Sequence, residues 1–239
     1  LREVLIVQYD VVIRCLNEVE WLPSTKAAIE QQSVSPTNII FVDSGSNDGS
    51  RELALAYGWE VIDYEAVPFN YSESLNIGCA SASSPAVLIL SAHCILAHPD
   101  SLAVMLEELV CDTAAAAVYG RQLPTSKSSP HDIRDLLTVF GRERVVYHQF
   151  PFFHNAFALI RRSCWQEVVF DESVNGIEDR IWAQAIVEKG YRVVYQPRAM
   201  VLHEHGLNHG TSDSRARRVV KALKVHHVKD SVVEWPAGY

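Results

Sequence analysis

The apolar run Asn38 to Val42 ends without transition in Asp43-Ser44-Gly45-Ser46-Asn47-Asp48-Gly49-Ser50. A short, continuous apolar run of this kind is a strand covered on both faces, and the polar, glycine-containing stretch after it is a turn. The pattern recurs. Val11 to Ile13 runs into Arg14-Cys15-Leu16-Asn17-Glu18, and Ala86 to Leu90 runs into Ser91-Ala92-His93. Val4 to Val7 is a further β-type run, either a strand of its own or the start of the one through Val11, and Trp59 to Tyr64 is another strand. Between the strands lie segments with helical spacing. Glu18 to Gln32 carries Trp21, Leu22, Ala28 and Ile29 on one face, Arg51 to Tyr57 is closed by Gly58, Tyr71 to Ser81 follows, and Pro99 opens a helix to Val110. Strands alternating with helices predict an α/β fold with a Rossmann-like, mostly parallel central sheet flanked by helices. In such sheets ligands lie at the carboxyl ends of the strands, so the residues just after each strand are the ones to inspect.

The second half is less regular. Leu123 to His131 reads as a loop, and Phe150 to Ile160 is aromatic and apolar. Ile177 to Lys189 is a helix stopped by Gly190, Tyr191 to Tyr195 a strand stopped at Pro197, and Met200 to Leu202 a short strand running into His203. No internal repeat or interdomain linker is visible, so one domain over 1–239 is expected. Apolar residues at 48% and charged residues at 21% are enough to build a core. The net charge of −8 argues against a nucleic-acid partner held by the bulk field. Against that trend, Arg215, Arg217, Arg218, Lys221, Lys224 and Lys229 alternate with apolar residues. They read as a basic amphipathic helix near the C-terminus (about 211–239), either a solvated face or a contact with a membrane surface or an anionic acceptor. The five cysteines match no zinc spacing and read as reduced thiols of a cytoplasmic protein. The longest apolar runs, Ala86 to Leu90 and Ala114 to Tyr119, fall far short of the ~20 residues a bilayer requires. No signal peptide is visible, and a leading Leu1 suggests a chain cut from a longer one.

Five clusters carry chemistry. Asp43, at a strand end, can accept hydrogen bonds from a nucleobase or ribose, with Gly45 letting the backbone pass close to a ligand; the plainer reading is an Asx turn followed by a helix cap from Asp48. Arg14 to Glu18 forms a second cluster. Ser91-Ala92-His93 is placed where a metal or diphosphate is met. Glu178 and Asp179 open a helix, where the dipole alone favours acids by ~0.3–1 kcal/mol, but neither the preceding Gly176 nor the nearby Trp182 follows from that. His203 and His205 alternate on an extended segment and so share a side, which suits metal ligation.

Taken in order, from about Val11 to about Gly206, these clusters resemble inverting glycosyltransferases of family 2 with the GT-A fold. Asn17-Glu18 is similar to that family's opening nucleotide-site motif, Asp43 to Ser50 to its Asp-Ser-x-Ser-x-Asp-Gly-Ser/Thr motif, and Asn70 to Gly78, above all Ser74 to Gly78, to the segment before the metal motif. His154-Asn155-Ala156, with Arg161, Arg162 and Trp165, resembles the acceptor-side stretch, and Glu178-Asp179 falls where the family keeps its catalytic Glu-Asp pair. The resemblance implies a nucleotide-sugar half (about 1–120) with Arg14, Asn17, Glu18, Asp43, Ser44, Gly45, Asp48, Asn76, Ser91 and Ala92 around the donor. It implies an acceptor half (about 121–210) with Asn155 and Trp182 on the acceptor, Asp179 as general base and Glu178 as its neighbour. One departure stands out: Ser91-Ala92-His93 replaces the family's Asp-x-Asp. The implied divalent metal, Mn or Mg, then falls to His93 with His203 or His205; imidazole favours Mn, and a metal-independent site is the alternative. The implied partners are a UDP- or dTDP-sugar and a glycan or lipid-linked acceptor, the implied product a polysaccharide or glycoconjugate, and the place of action the cytoplasm, with contact at the inner face of the membrane through the basic segment.

Two other classes compete. A non-catalytic sugar-nucleotide or glycan-binding domain is suggested by the altered triplet and opposed by retention of both Glu178 and Asp179. A nucleotidyltransferase requires a basic, glycine-rich loop near the N-terminus, and Val7 to Glu18 offers only Arg14 and no glycine.

Overall fold

The computed structural model describes residues 8–204. They form a nine-stranded sheet with helices on both faces. The strands are β1 (Tyr9–Cys15), β2 (Asn38–Asp43), β3 (Glu60–Asp63), β4 (Ala86–Ser91), β5 (Cys94–Leu96), β6 (Ala115–Leu123), β7 (Val145–Tyr147), β8 (Phe157–Arg161) and β9 (Arg192–His203). The helices are α1 (Leu22–Glu30), α2 (Ser50–Ala56), α3 (Tyr71–Ser81), α4 (Ser101–Cys111), α5 (Pro130–Val139), α6 (Arg162–Glu167) and α7 (Glu178–Glu188). The spatial order is β3-β2-β1-β4-β8-β6-β9-β5, with β7 on β9.

The central strands are apolar on both faces because both faces are covered. In β1, Val11 and Ile13 belong to one core and Val12 to the other; in β4, Leu88 and Leu90 join the first while Val87 and Ile89 join the second. Alternation of side chains across the sheet divides them this way. Helix α3 approaches β1 and β2 so closely that a Cβ on Gly78 would collide with Val12 and lie 3.2 Å from Val42 Cγ2, which is why a glycine interrupts an otherwise ordinary helix.

The expected α/β architecture holds, but strand direction is mixed. β3-β2-β1-β4 is parallel and so is β6–β9, whereas β8 runs antiparallel to β4 and β6, and β5 and β7 run antiparallel to β9. The two short strands expected around Pro197 are one strand: β9 bulges between Gln196 and Met200 and then resumes its pairing with β6, so the proline's missing N–H interrupts no ladder bond. Part of the expected loop at 123–131 is helical. Ser129 caps α5, accepting from Asp132 N at 3.2 Å and donating to Asp132 Oδ2 at 2.6 Å, with Pro130 in the first turn. The first helix starts at Leu22 rather than Glu18, since the backbone N–H groups of residues 17–19 bond to side chains of Ser46, Ser50 and Asp48. Val4 to Val7, His205 and the basic segment 215–229 lie outside the described residues.

Candidate active site

The clusters read from the sequence converge on one edge of the sheet, at the carboxyl ends of β1, β2, β4, β6 and β9. Here the first two are fused. Asn17 N donates to Ser46 Oγ (2.9 Å), Asn47 N to Asn17 Oδ1 (2.8 Å), Glu18 N to Ser50 Oγ (2.9 Å) and Val19 N to Asp48 Oδ2 (2.9 Å). Asn17 adopts φ 57° to make these bonds, in the left-handed region that Asn tolerates better than most residues. Asp48 also accepts from Ser50 N and Oγ through Oδ1 (2.9 and 2.6 Å). Its carboxyl is held below the usual range by these hydrogen bonds, which outweigh the opposing effect of desolvation. Asp48 is therefore a clamp between two loops.

Asp43 is 2% exposed. Its Oδ2 closes the turn, accepting from Gly45 N (3.1 Å) and Ser46 N (2.9 Å). Gly45 takes φ +85°, which the turn requires. Asp43 Oδ1 is buried with no hydrogen-bond partner among the described residues. The Asx turn is thus real and accounts for only half of the carboxylate; an unsatisfied buried acceptor costs about 1–3 kcal/mol, and a ligand donor would relieve it. Ser44 N is spent on Cys15 O (2.9 Å).

A chain of hydrogen bonds starts at Glu18. Glu18 Oε1 is 2.9 Å from His93 Nδ1, His93 Nε2 is 3.1 Å from His203 Nε2, His203 Nδ1 is 2.8 Å from Gln122 Oε1, and Gln122 Nε2 is 2.9 Å from His154 Nδ1. The backbone N–H of Ala156 also donates to His154 Nδ1 (3.3 Å). The two histidine rings are nearly parallel (11° between planes) and meet end to end, with centroids 5.0 Å apart. A carboxylate only accepts, so His93 carries its proton on Nδ1. The Ala156 N–H makes His154 Nδ1 an acceptor, so Gln122 presents its NH2 there and its oxygen to His203, which then also carries its proton on Nδ1. With both imidazoles neutral, these tautomers face lone pair to lone pair across 3.1 Å, which a cation between them would turn from repulsive to attractive; an imidazolium at either position would instead donate across the same gap. Imidazole nitrogens about 2.0–2.1 Å from a shared zinc-sized ion, at right-angled to tetrahedral geometry, are about 2.9–3.4 Å apart. The spacing of His93 Nε2 and His203 Nε2 is the one two imidazole ligands of a single divalent ion would have, and both rings have an outer hydrogen bond on Nδ1, as ligating histidines usually do. Among the described residues no group of three or more His, Cys, Asp or Glu side chains is placed to hold a metal.

The Glu-Asp pair lies at the first turn of α7. Asp179 Oδ2 accepts from Asn155 N (3.3 Å) and Oδ1 from Arg180 N (2.8 Å); Glu178, 5% exposed, accepts from Gly176 N (3.2 Å). Burial pushes the Glu178 carboxyl up to about 7, helped by the neighbouring Asp179, while the Arg14 charge pulls it back. Desolvation raises Asp179 as well, against Arg180, the two backbone N–H groups and Arg14. Arg14, whose guanidinium lies 5.1 Å over the Tyr71 ring, is thus the cation that stabilises both carboxylates. The side-chain amide of Asn155, 3% exposed, has neither its nitrogen nor its oxygen paired among the described residues.

Three sequence expectations are corrected. Trp182 is 1% exposed, donates to Val168 O (2.6 Å) and packs on Phe153 and Phe170, so it is a core side chain and no acceptor surface. Asn76 spends its whole amide on Phe170 O, Glu172 Oε1, Trp165 Nε1 and Phe170 N; it ties α3 to residues 165–172 and does not reach for a nucleotide. Ala92 is buried, and its carbonyl accepts the Thr25 hydroxyl (2.6 Å), so it shapes the turn that presents His93. Sequence reasoning assigned no role to Gln122 or to the His154 ring. A polar side chain at the end of an apolar strand was the available signal for Gln122.

Residues 10–169 match the family described as Glycosyl transferase family 2. The chain belongs to glycosyltransferase family 2. It is 30% identical over 189 residues to the O-antigen chain rhamnosyltransferase WbaN of Salmonella anatum, covering 74% of this chain and 60% of that protein. It is 29% identical over 206 residues to RfbN of Salmonella typhimurium, an O-antigen chain rhamnosyltransferase, covering 81% and 65%. The chain thus spans less than two thirds of the length of both. Among solved structures, the mannosyltransferase PcManGT from Pyrobaculum calidifontis, in complex with GDP-Man and Mn2+, superposes with TM-score 0.66 at 19% identity over 95% of this chain and 66% of that one. Glucosyl-3-phosphoglycerate synthase from Mycobacterium tuberculosis, in complex with Mn2+, UDP and glucosyl-3-phosphoglycerate, gives 0.65 at 18% identity over 95% and 83%. At these identities the superpositions show the GT-A fold alone. No helix among the described residues is long and apolar enough to cross a membrane.

Proposed function

We propose that this family 2 chain transfers a sugar, with inversion, from a nucleotide-sugar donor to a hydroxyl of a glycan or lipid-linked acceptor in polysaccharide synthesis. UDP- and dTDP-sugars are the donors to test, with rhamnose the first sugar because both Salmonella relatives are rhamnosyltransferases. The observation that carries the reading is Asp179. Its carboxylate is aimed by two backbone N–H groups at the same sheet edge as the half-satisfied Asp43 and the paired histidines.

In this reading Asp43 Oδ1 accepts from the nucleobase, with Arg14, Asn17, Glu18, Ser44, Gly45 and Ser91 around the donor and Asp48 bracing the loop. The acceptor oxygen attacks the sugar C1, its proton passes to Asp179, and the C1–O bond to the diphosphate breaks with the electron pair leaving on the diphosphate. The Asn155 amide, adjacent to the base, holds the acceptor. Glu178 orients the base and, with its carboxyl near 7, shares charge with it. A divalent ion, Mn in preference to Mg, would be held by His93 and His203 and, when bound, offsets charge on the leaving diphosphate. The five thiols, all free, support action in the reducing cytoplasm, with the basic segment 215–229 as the candidate membrane contact. Asp179→Asn tests the mechanism: donor binding by calorimetry should stay within a few-fold of wild type while single-turnover transfer falls by at least about 10²-fold, the low end of what a positioned base contributes. Transfer at the wild-type rate would remove Asp179 from the mechanism.

A further inference from the structure

We infer that Gln122 and His154 are positioning residues for the metal, acting through His203: together they fix which His203 nitrogen faces the ion. This rests on the metal reading of His93 and His203. Gln122 is fully buried at the end of β6, beside the residues that lead into His203 on β9. Its amide has two ends and two histidine partners, His203 Nδ1 at 2.8 Å and His154 Nδ1 at 2.9 Å. Either end could face either ring. The Ala156 N–H decides: by donating to His154 Nδ1, it leaves that nitrogen only as an acceptor, so the NH2 of Gln122 goes to His154 and the oxygen to His203. The His203 proton is then held on Nδ1 and the Nε2 lone pair is left toward His93. Reversing the amide would put N–H against His203 Nδ1, move the ring proton to Nε2 and close the position to a cation.

The same chain links the metal position to the acceptor-side segment, since His154 precedes Asn155, whose backbone N–H holds the Asp179 carboxylate. Sequence reading placed neither residue in the metal site because the connection exists only where β6, β9 and the segment before β8 meet.

The test compares Gln122→Met, Gln122→Glu and His154→Phe in the full chain. Each is titrated with Mn2+, alone and with UDP, reading free Mn2+ by electron paramagnetic resonance, and each is melted to report folding. Removing such an outer hydrogen bond weakens metal binding about 10–100-fold. Gln122→Met should show that loss, since a thioether cannot hold the Nδ1 proton, and His154→Phe a loss in the same direction, since the amide becomes free to turn. Gln122→Glu should bind Mn2+ more tightly than Gln122→Met, because a carboxylate oxygen still accepts from His203 Nδ1 even though its other oxygen faces the acceptor nitrogen of His154. A purely structural role predicts the opposite order, as Met is tolerated in a buried site and Glu buries a charge. Wild-type affinity in Gln122→Met, or equal loss in Met and Glu variants that both fold, overturns the inference. A wild-type chain that takes up no Mn2+ in either titration overturns the metal reading itself and this role with it.

Discussion

Replacing Glu178 by Gln should make the protein more stable at alkaline pH and leave it unchanged in acid. Glu178 is 5% exposed beside Asp179, and its carboxyl is raised to about 7 from an ordinary 4.5, first by burial and then by the neighbour's charge. The folded chain therefore keeps this proton to higher pH than the unfolded chain. Stability falls wherever the native state binds more protons, so it declines as pH rises from about 4.5 to about 7 and is level above. At about 1.4 kcal/mol per pKa unit, the ionised carboxyl costs on the order of a few kcal/mol, shared with Asp179 because the two charges interact. Glutamine keeps the acceptor for Gly176 N and removes the charge. Thermal melts of wild type and variant from pH 4 to pH 8 should coincide at the acid end and separate by at least several degrees at the alkaline end, given about 2–4 °C per kcal/mol for a domain of this size. Taking the difference removes the opposite trend of Glu108, Asp112 and Glu167, whose carboxyls are lowered. A gap independent of pH, or a variant less stable at pH 8, would show that the Glu178 charge does not destabilise the folded chain.

Asn76→Ala should lower the melting temperature by about 6 °C or more while leaving nucleotide affinity unchanged. It strands the Trp165 and Phe170 N–H groups and the Phe170 carbonyl, each worth about 1–3 kcal/mol when buried and unpaired; a melt and a nucleotide titration on the same sample check both halves. Asp43→Ala should weaken nucleotide binding by roughly 10-fold or more, the loss of one charge-assisted hydrogen bond of about 1.5–3 kcal/mol. An unchanged affinity in a folded Asp43→Ala variant removes Asp43 from the donor site.

What the sequence makes legible follows from local physics. The runs at 38–42 and 86–90 are covered on both faces, so continuous apolarity marks them as strands, and the polar residues after them mark the ligand edge. Helix α5 was also written locally, in Ser129-Pro130 and Asp132, but the prolines and serines around it read as loop. Strand direction is not local: nothing in Phe157 to Arg161 distinguishes an antiparallel from a parallel neighbour, and that choice is made by pairing with β4 and β6. The same holds in the site. Asp43, His93, His203 and Asp179 could be named from residue type and place. Whether Trp182 and Asn76 meet a ligand or the core depends on Val168, Phe170 and Trp165, distant partners that only the fold brings to them. The Gln122 amide orientation depends on a backbone N–H 34 residues away in sequence, at Ala156.

The measurement that bears most directly on the proposed activity is calorimetric titration of the chain with UDP, dTDP, GDP and CMP, with and without Mn2+. Micromolar binding of one nucleotide is expected, strengthened by Mn2+ and weakened roughly 10-fold or more in Asp43→Ala. Binding of none of the four, in either condition, would contradict it.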